Sequence, residues 1–156
     1  RNKLESSIQV LNCDIKEYST ETKYDVITCN PPYFKVSSTS QKNENPIKRM
    51  ARHEISINLE EIITHAKRFL KETGSLYLVH RVERFLETID ILEREKFGIR
   101  KVVFVNTKKG NNAEFFLIEA SKYKKSDLKV WTIDVEGRST YKNIFEEVNR
   151  WNWYAD

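Results

Sequence analysis

Residues 24–33 read Tyr-Asp-Val-Ile-Thr-Cys-Asn-Pro-Pro-Tyr. The run from Tyr24 to Cys29 is β-rich and predicts a strand. It stops at Asn30, because Pro31 and Pro32 cannot continue a hydrogen-bonded ladder. Downstream, Leu59, Ile62, Ile63, Ala66, Phe69 and Leu70 repeat at helical spacing and make one apolar face. Asn58 with Glu61 three residues on predicts a capping box, and Gly74 predicts the helix stop. Ser75 to Val79 reads as a buried strand closing at His80-Arg81. A second helix follows, with Val82, Phe85, Leu86, Ile89 and Leu92 turned inward and Gly98 closing it. Strand–helix–strand–helix–strand implies a parallel sheet with crossovers, an α/β fold.

Around this centre the reading extends both ways. Ile8 to Asn12 alternates and predicts a strand that ends at Cys13-Asp14. Residues Lys35 to Met50 are polar and aperiodic, which predicts a long loop. Ile99 to Val105 and Glu114 to Ala120 are β-rich runs joined through Lys108 to Asn112, a Gly/Asn-containing join that predicts an antiparallel hairpin at one sheet edge. Leu128 to Ile133 adds a short strand. A last amphipathic helix is expected from about Tyr141, capped at Ser139 or Thr140, with Ile144, Phe145 and Val148 leading to Trp151.

Composition narrows the function classes. The 156 residues form a single domain, and 39% hydrophobic and 12% aromatic content supports a core rather than disorder. Only Gly74, Gly98, Gly110 and Gly137 are present, so the chain holds neither a G-x-G-x-x-G cradle nor a P-loop. Cys13 and Cys29 form no zinc pairing and no disulfide framework, and read as free thiols. No apolar stretch approaches the roughly 18 residues of a membrane span, and no signal peptide is evident, so a cytoplasmic protein without a membrane partner is expected. No metal site is expected. The net charge is +4. From Lys96 to Lys129, nine basic residues face three acids, and Lys35, Lys42, Lys48, Arg49 and Arg52 face Glu44 in the polar loop. Such flanks fit phosphate contacts, although a solvated charged surface gives the same count.

Asn30-Pro31-Pro32-Tyr33 carries the chemistry. In open α/β sheets, ligands bind beyond the carboxyl ends of the strands, where Asn30 falls. The prolines fix the backbone, so the Asn30 amide and the Pro31 carbonyl can face one point as paired acceptors. Such a pair suits a planar amine with two N–H donors. Tyr33 or Phe34 then supplies a stacking face for the ring bearing the amine. A Pro-Pro stop after an ordinary strand is the plainer alternative.

The tetrapeptide after this strand resembles the signature of amino-group methyltransferases that use S-adenosylmethionine, enzymes of adenine in DNA or RNA and of a glutamine amide in release factors. Together with Ala51-Arg52-His53-Glu54 and Val79-His80-Arg81, it resembles one branch in particular, the tRNA adenine-amine methyltransferases that modify valine tRNA beside the anticodon. The likeness runs from about Ile8 to Ala120. It implies a Rossmann-like class I methyltransferase sheet and direct transfer to the exocyclic N6 amine of an adenine. By the same likeness Asn30 and Pro31 would accept from that amine, Pro32 would fix the loop, Tyr33 would stack on the base, and Asp14 and Asn30 would contact the cofactor. Phe34, Arg52, His53 and Arg81 would face the RNA, with Arg52 on a phosphate. Arg52 to Glu54 also reads as a solvated charged turn. A DNA adenine or release-factor glutamine substrate, and a non-catalytic RNA-binding domain of the same fold, stay open. A monomer is expected.

The resemblance also implies parts that these residues do not contain. Family members hold the methionine part of the cofactor on a glycine-rich strand–loop–helix and its ribose on a further acidic residue. In the family's sheet those strands lie between the one at Ile8 and the one at Tyr24. The expectation is a C-terminal portion of a longer methyltransferase that alone neither binds the cofactor well nor catalyses.

Overall fold

The computed structural model describes residues 7–31, 58–108, 110–123 and 127–135. Strand β1 (Tyr24–Cys29) is followed by helix α1 (Leu59–Phe69), strand β2 (Leu70–Arg81), a 3-10 turn (Val82–Arg84), helix α2 (Phe85–Arg94) and strands β3 (Gly98–Asn106), β4 (Phe115–Ser121) and β5 (Lys129–Asp134). They form one five-stranded sheet in the order β1-β2-β4-β3-β5. β1 runs parallel to β2 and β5 parallel to β3, while β4 is antiparallel to both β2 and β3. Thus β1, β2 and β3 share one direction, with α1 and α2 as the crossovers the apolar periodicity predicts. The β3–β4 hairpin is antiparallel as expected. Contrary to expectation it is not at the sheet edge: its second strand sits between β2 and β3, and β5 continues the sheet beyond β3.

One sheet face carries the core. Along β2, Leu76, Leu78 and His80 are buried, and the residues that pair with them across β4, Ala120, Ile118 and Phe116, are buried too. They meet Ile63 and Ala66 of α1 and Ile91 and Leu92 of α2. Each fully buried aliphatic side chain contributes about 1.5–3 kcal/mol of transfer free energy. Surface ion pairs join the two helices, Arg94 to Glu60 at 2.7 Å and Lys67 to Glu95 at 3.1 Å. The exposure of the Arg94–Glu60 pair keeps its contribution small, whereas Lys67 and Glu95 are half-buried.

The capping box forms as the sequence predicts. Asn58 Oδ1 accepts from the Glu61 N–H at 2.8 Å, and Glu61 Oε2 accepts from the Asn58 N–H at 2.8 Å. Gly74 does not end α1. The chain leaves the helix at Leu70, whose backbone is already extended, and enters β2 directly. Gly74 lies inside that strand, where an added Cβ would come 2.9 Å from Leu70 Cδ2 and 3.0 Å from both the Lys71 carbonyl and the Tyr24 carbonyl on β1. The close approach of the neighbouring backbone, not helix termination, explains the glycine.

The end of α2 also departs from expectation. Gly98 opens β3, and Lys96 takes the left-handed conformation at φ 63° while the Phe97 N–H bonds back to the Leu92 carbonyl at 2.9 Å. An L-residue held there is strained by about 1–2 kcal/mol, and glycine is the usual occupant. Lys96→Gly is therefore expected to raise stability by about 0.5–1 kcal/mol, after allowing for the greater freedom of glycine in the unfolded chain. A urea midpoint that stays put or falls would contradict this. Leu86, expected inward, is 80% exposed. The buried stripe of α2 runs through Thr88, Ile91 and Leu92 with Phe85 and Ile89 against the core, and Leu86 is one residue, about 100°, out of phase with Phe85.

The strand expected over Ile8 to Asn12 is absent, and Ile8, Val10 and Leu11 are exposed. Among the described residues no strand pairs with the outer edge of β1 or with this segment, so its alternating pattern has no ladder to join. The polar stretch Lys35 to Met50 and the helix expected from Tyr141, with its caps, lie outside the described residues.

Candidate active site

The site grows from the carboxyl end of β1. In the β1–β2 register Thr28 pairs with Tyr77 and Cys29 with Leu78, so Asn30 comes level with Val79. Ile27 and Cys29 pack toward the helices. Asn30 is exposed and Pro31 is buried, which anchors the turn in the fold while leaving the amide accessible. Burial pushes the Cys29 thiol above its ordinary pKa, so it stays protonated and is a poor nucleophile.

Two cavities meet at Asn30. The larger, about 600 Å³, lies along the outer flank of β1, between the segment around Gln9 to Tyr18 and the apolar face of α1. The smaller, about 260 Å³, lies on the face of the sheet away from the helices, bounded by Thr28, Tyr77, Val79 and Leu117. Asn30 lines both.

The larger cavity has an aromatic wall that sequence reading did not single out. The Tyr18 and Tyr24 hydroxyls lie 2.8 Å apart, and that hydrogen bond is the main cause raising the Tyr24 pKa above its ordinary value. The Tyr18 ring meets Phe69 edge-on at 5.3 Å, and His65 stacks on Phe69 at 6.2 Å. His65 is half-buried in this wall. Phe69 was legible through the apolar stripe of α1; Tyr18, in a polar stretch, carried no periodic signal.

Asp14 heads a turn beside this cavity. Its Oδ1 accepts from the Lys16 N–H at 2.9 Å, and its carbonyl accepts from the Glu17 and Tyr18 N–H groups, both at 3.0 Å. Its neighbours Cys13 and Ile15 line the cavity.

Arg81 stands at the carboxyl end of β2. Its guanidinium donates to both oxygens of Glu83, at 3.2 and 3.3 Å, and lies 5.4 Å from the centre of the Phe115 ring. The Arg81 hydrogen bond is the first cause holding Glu83 below its ordinary pKa. His80 faces the opposite way, 1% exposed and stacked on Phe116. Its Nδ1 accepts from the Arg81 N–H at 2.8 Å. Burial, aided by the nearby Arg84 charge, lowers its pKa, so near neutral pH it is an uncharged core residue.

The basic run from Lys96 to Lys129 is partly internal. Lys101 is buried against Glu119 at 3.2 Å, Arg100 approaches the same carboxylate at 3.7 Å, and Lys122 pairs with Glu72 at 2.7 Å. Lys108 and Lys129 are exposed, and Lys109, Lys124 and Lys125 lie outside the described residues. So do Pro32, Tyr33, Phe34, Arg52, His53 and Glu54. The structure therefore brings Asn30 and Pro31 to one strand end, with Arg81 two residues beyond Val79 on the neighbouring strand. Among the described residues, no group of three or more His, Cys, Asp or Glu is arranged to hold a metal, and no helix is long and apolar enough to cross a membrane.

Comparison with known proteins adds the following. Residues 1–110 match the family model of the methyltransferase small domain. The chain is similar to a tRNA1(Val) (adenine(37)-N6)-methyltransferase of Aliivibrio fischeri, 30% identical over 114 residues, covering 73% of this chain and 47% of that protein. It is also similar to the protein of the same description from Aliivibrio salmonicida, 26% identical over 143 residues, covering 92% of this chain and 59% of that one. The chain thus spans about half the length of these curated relatives. Among solved structures, a predicted O-methyltransferase from Agrobacterium tumefaciens shares the fold, with a TM-score of 0.55 and 17% identity over 81% of this chain and 51% of that one.

Proposed function

The chain belongs to the methyltransferase small domain family, and from that premise we propose that it forms the acceptor side of an enzyme that methylates the exocyclic N6 amine of an adenine in tRNA, near the anticodon. The observation that carries this reading is Asn30, an exposed amide at a strand end, set on a buried proline and opening on the smaller cavity. A group-transfer reaction needs two substrates to meet at one polar point, and Asn30 is such a point. The described relatives of that name support tRNA as the acceptor.

S-adenosylmethionine would lie beyond the carboxyl end of β1, not in the larger cavity, which occupies the flank of β1 where the resemblance sets further strands. When bound, it supplies an electrophilic methyl group. Of these residues, Asp14 would lie beside its adenine and Asn30 would contact it. The Asn30 side-chain oxygen and the Pro31 carbonyl accept from the two N–H groups of the adenine amine and hold its nitrogen lone pair toward the donor. Positioning of this kind supplies most of the acceleration, and the proton shed by the methylated amine passes to water. The fully buried His80 and the protonated Cys29 take no part. In this reading Pro32 rigidifies the turn, Tyr33 and Phe34 stack on the base, and Arg52, His53 and Arg81 face the RNA. The enzyme works in the cytoplasm as a monomer.

The test is to give the natural polypeptide carrying this sequence S-adenosylmethionine with a labelled methyl group, together with unmodified tRNA, adenine-containing DNA and a release factor. Label is expected in N6-methyladenosine from tRNA. Label only in DNA or protein would move the substrate, and bound RNA with no transfer would favour a non-catalytic RNA-binding domain.

A further inference from the structure

The helix-free face of the sheet carries a strip that begins at Asn30 and leads away from it across β2 and β4. Val79 pairs with Leu117, and the next outward pair on the same face, two residues along each strand, is Arg81 with Phe115. The two rows are about 7 Å apart along the strands. Leu117 is 38% exposed although β4 is hydrogen-bonded on both sides, and it lines the smaller cavity together with Val79 and Asn30. Phe115 is half-buried, with the Arg81 guanidinium over its ring and Glu83 fixing that guanidinium from the other side. A ring, a guanidinium plane and an aliphatic floor suit one class of occupant, a flat π-system. An unstacked nucleotide base meets that description, since such bases stack on aromatic and guanidinium planes.

We infer that Phe115, Arg81 and Leu117 form a second nucleotide subsite, which stacks the base next to the methylated adenine and so holds the RNA single strand open at the site. This rests on the proposed tRNA reading and deepens it: selection reaches beyond the target base to its neighbour, and the β3–β4 hairpin becomes part of the substrate surface.

An anticodon stem-loop RNA with 2-aminopurine at one or the other position flanking the target adenine tests the inference, using the natural polypeptide. Binding is expected to change the fluorescence at one of the two positions by altering its stacking. Phe115→Ala should abolish that change and raise the KM for RNA about tenfold, with a smaller effect on kcat. Phe115→Tyr, which keeps the ring, should retain the parent KM. Phe115→Leu, which keeps bulk without a ring, should behave as the alanine variant does. A leucine variant with parent KM and parent fluorescence would mean packing rather than stacking and would overturn the subsite. Methylated RNA with no fluorescence change at either position would overturn the subsite alone. No methylation of any RNA by the parent protein would overturn the tRNA reading and the subsite with it.

Discussion

Asn30→Ala, made in the natural polypeptide that carries this sequence, is expected to lower kcat for methyl transfer about 10²–10³-fold, the loss typical of removing one preorganised polar group from a reacting centre. The reason is geometric. An exocyclic adenine amine is planar because its lone pair is delocalised into the ring, and it becomes a useful nucleophile when its N–H bonds are directed and its lone pair is turned toward the donor. Asn30 follows Cys29 at the end of a strand paired to β2, and Pro31 is buried immediately after it. Truncation at this position deletes an acceptor while leaving the strand and the turn. Asn30→Asp keeps an acceptor oxygen at this place and is expected to retain more activity than the alanine variant. KM for RNA should move less than kcat, because the flanking contacts remain. Steady-state assays with labelled cofactor would show the split, and a fully active alanine variant would remove Asn30 from the chemistry.

Glu119→Ala is expected to destabilise the fold by about 1–3 kcal/mol, because it takes a charged partner from the buried Lys101. Glu119 is 4% exposed and Lys101 is 7% exposed, and they face each other across β3 and β4 in direct register, 3.2 Å apart. Removing the carboxylate leaves an ammonium with the lysine stem packed and water largely excluded. Replacing both residues with apolar ones, as in Lys101→Met with Glu119→Leu, should recover most of the loss, because desolvation of the pair offsets much of its attraction. Chemical unfolding of the three variants would measure this. A single variant within about 0.5 kcal/mol of the parent would show that Lys101 reaches water when its partner is gone.

What the sequence conveyed followed the range over which each signal acts. The stop at Asn30-Pro31-Pro32 and the capping box at Asn58 and Glu61 are contained in a few adjacent residues, and both strand end and cap stand where the pattern puts them. The β-rich runs over residues 99–105 and 114–120 placed β3 and β4 within one residue at each end. The failures needed distant partners. Nothing near Gly74 tells that β1 backbone will pass within 3.0 Å of its missing Cβ. The hairpin's own residues do not say that β4 slots between β2 and β3. Lys101 counts as one more basic residue until β4 places Glu119 opposite it. At Ile8 to Asn12 the local preference is for strand, but a ladder needs a second strand, and none lies beside it among the described residues. The site was legible in part for the same reason. Asn30 announces itself through two prolines, whereas Leu117, Phe115 and Tyr18 reach their cavities or their partners through sheet register and chain folding.

The most direct test of the central claim is a crystal structure of the natural polypeptide with a non-reactive cofactor analogue and an RNA anticodon stem-loop. The account predicts one adenine turned out of the RNA stack, with its amine within hydrogen-bond distance of the Asn30 side-chain oxygen and the Pro31 carbonyl. An ordered RNA whose adenines all lie away from Asn30, or an Asn30 amide turned into the protein, would contradict it.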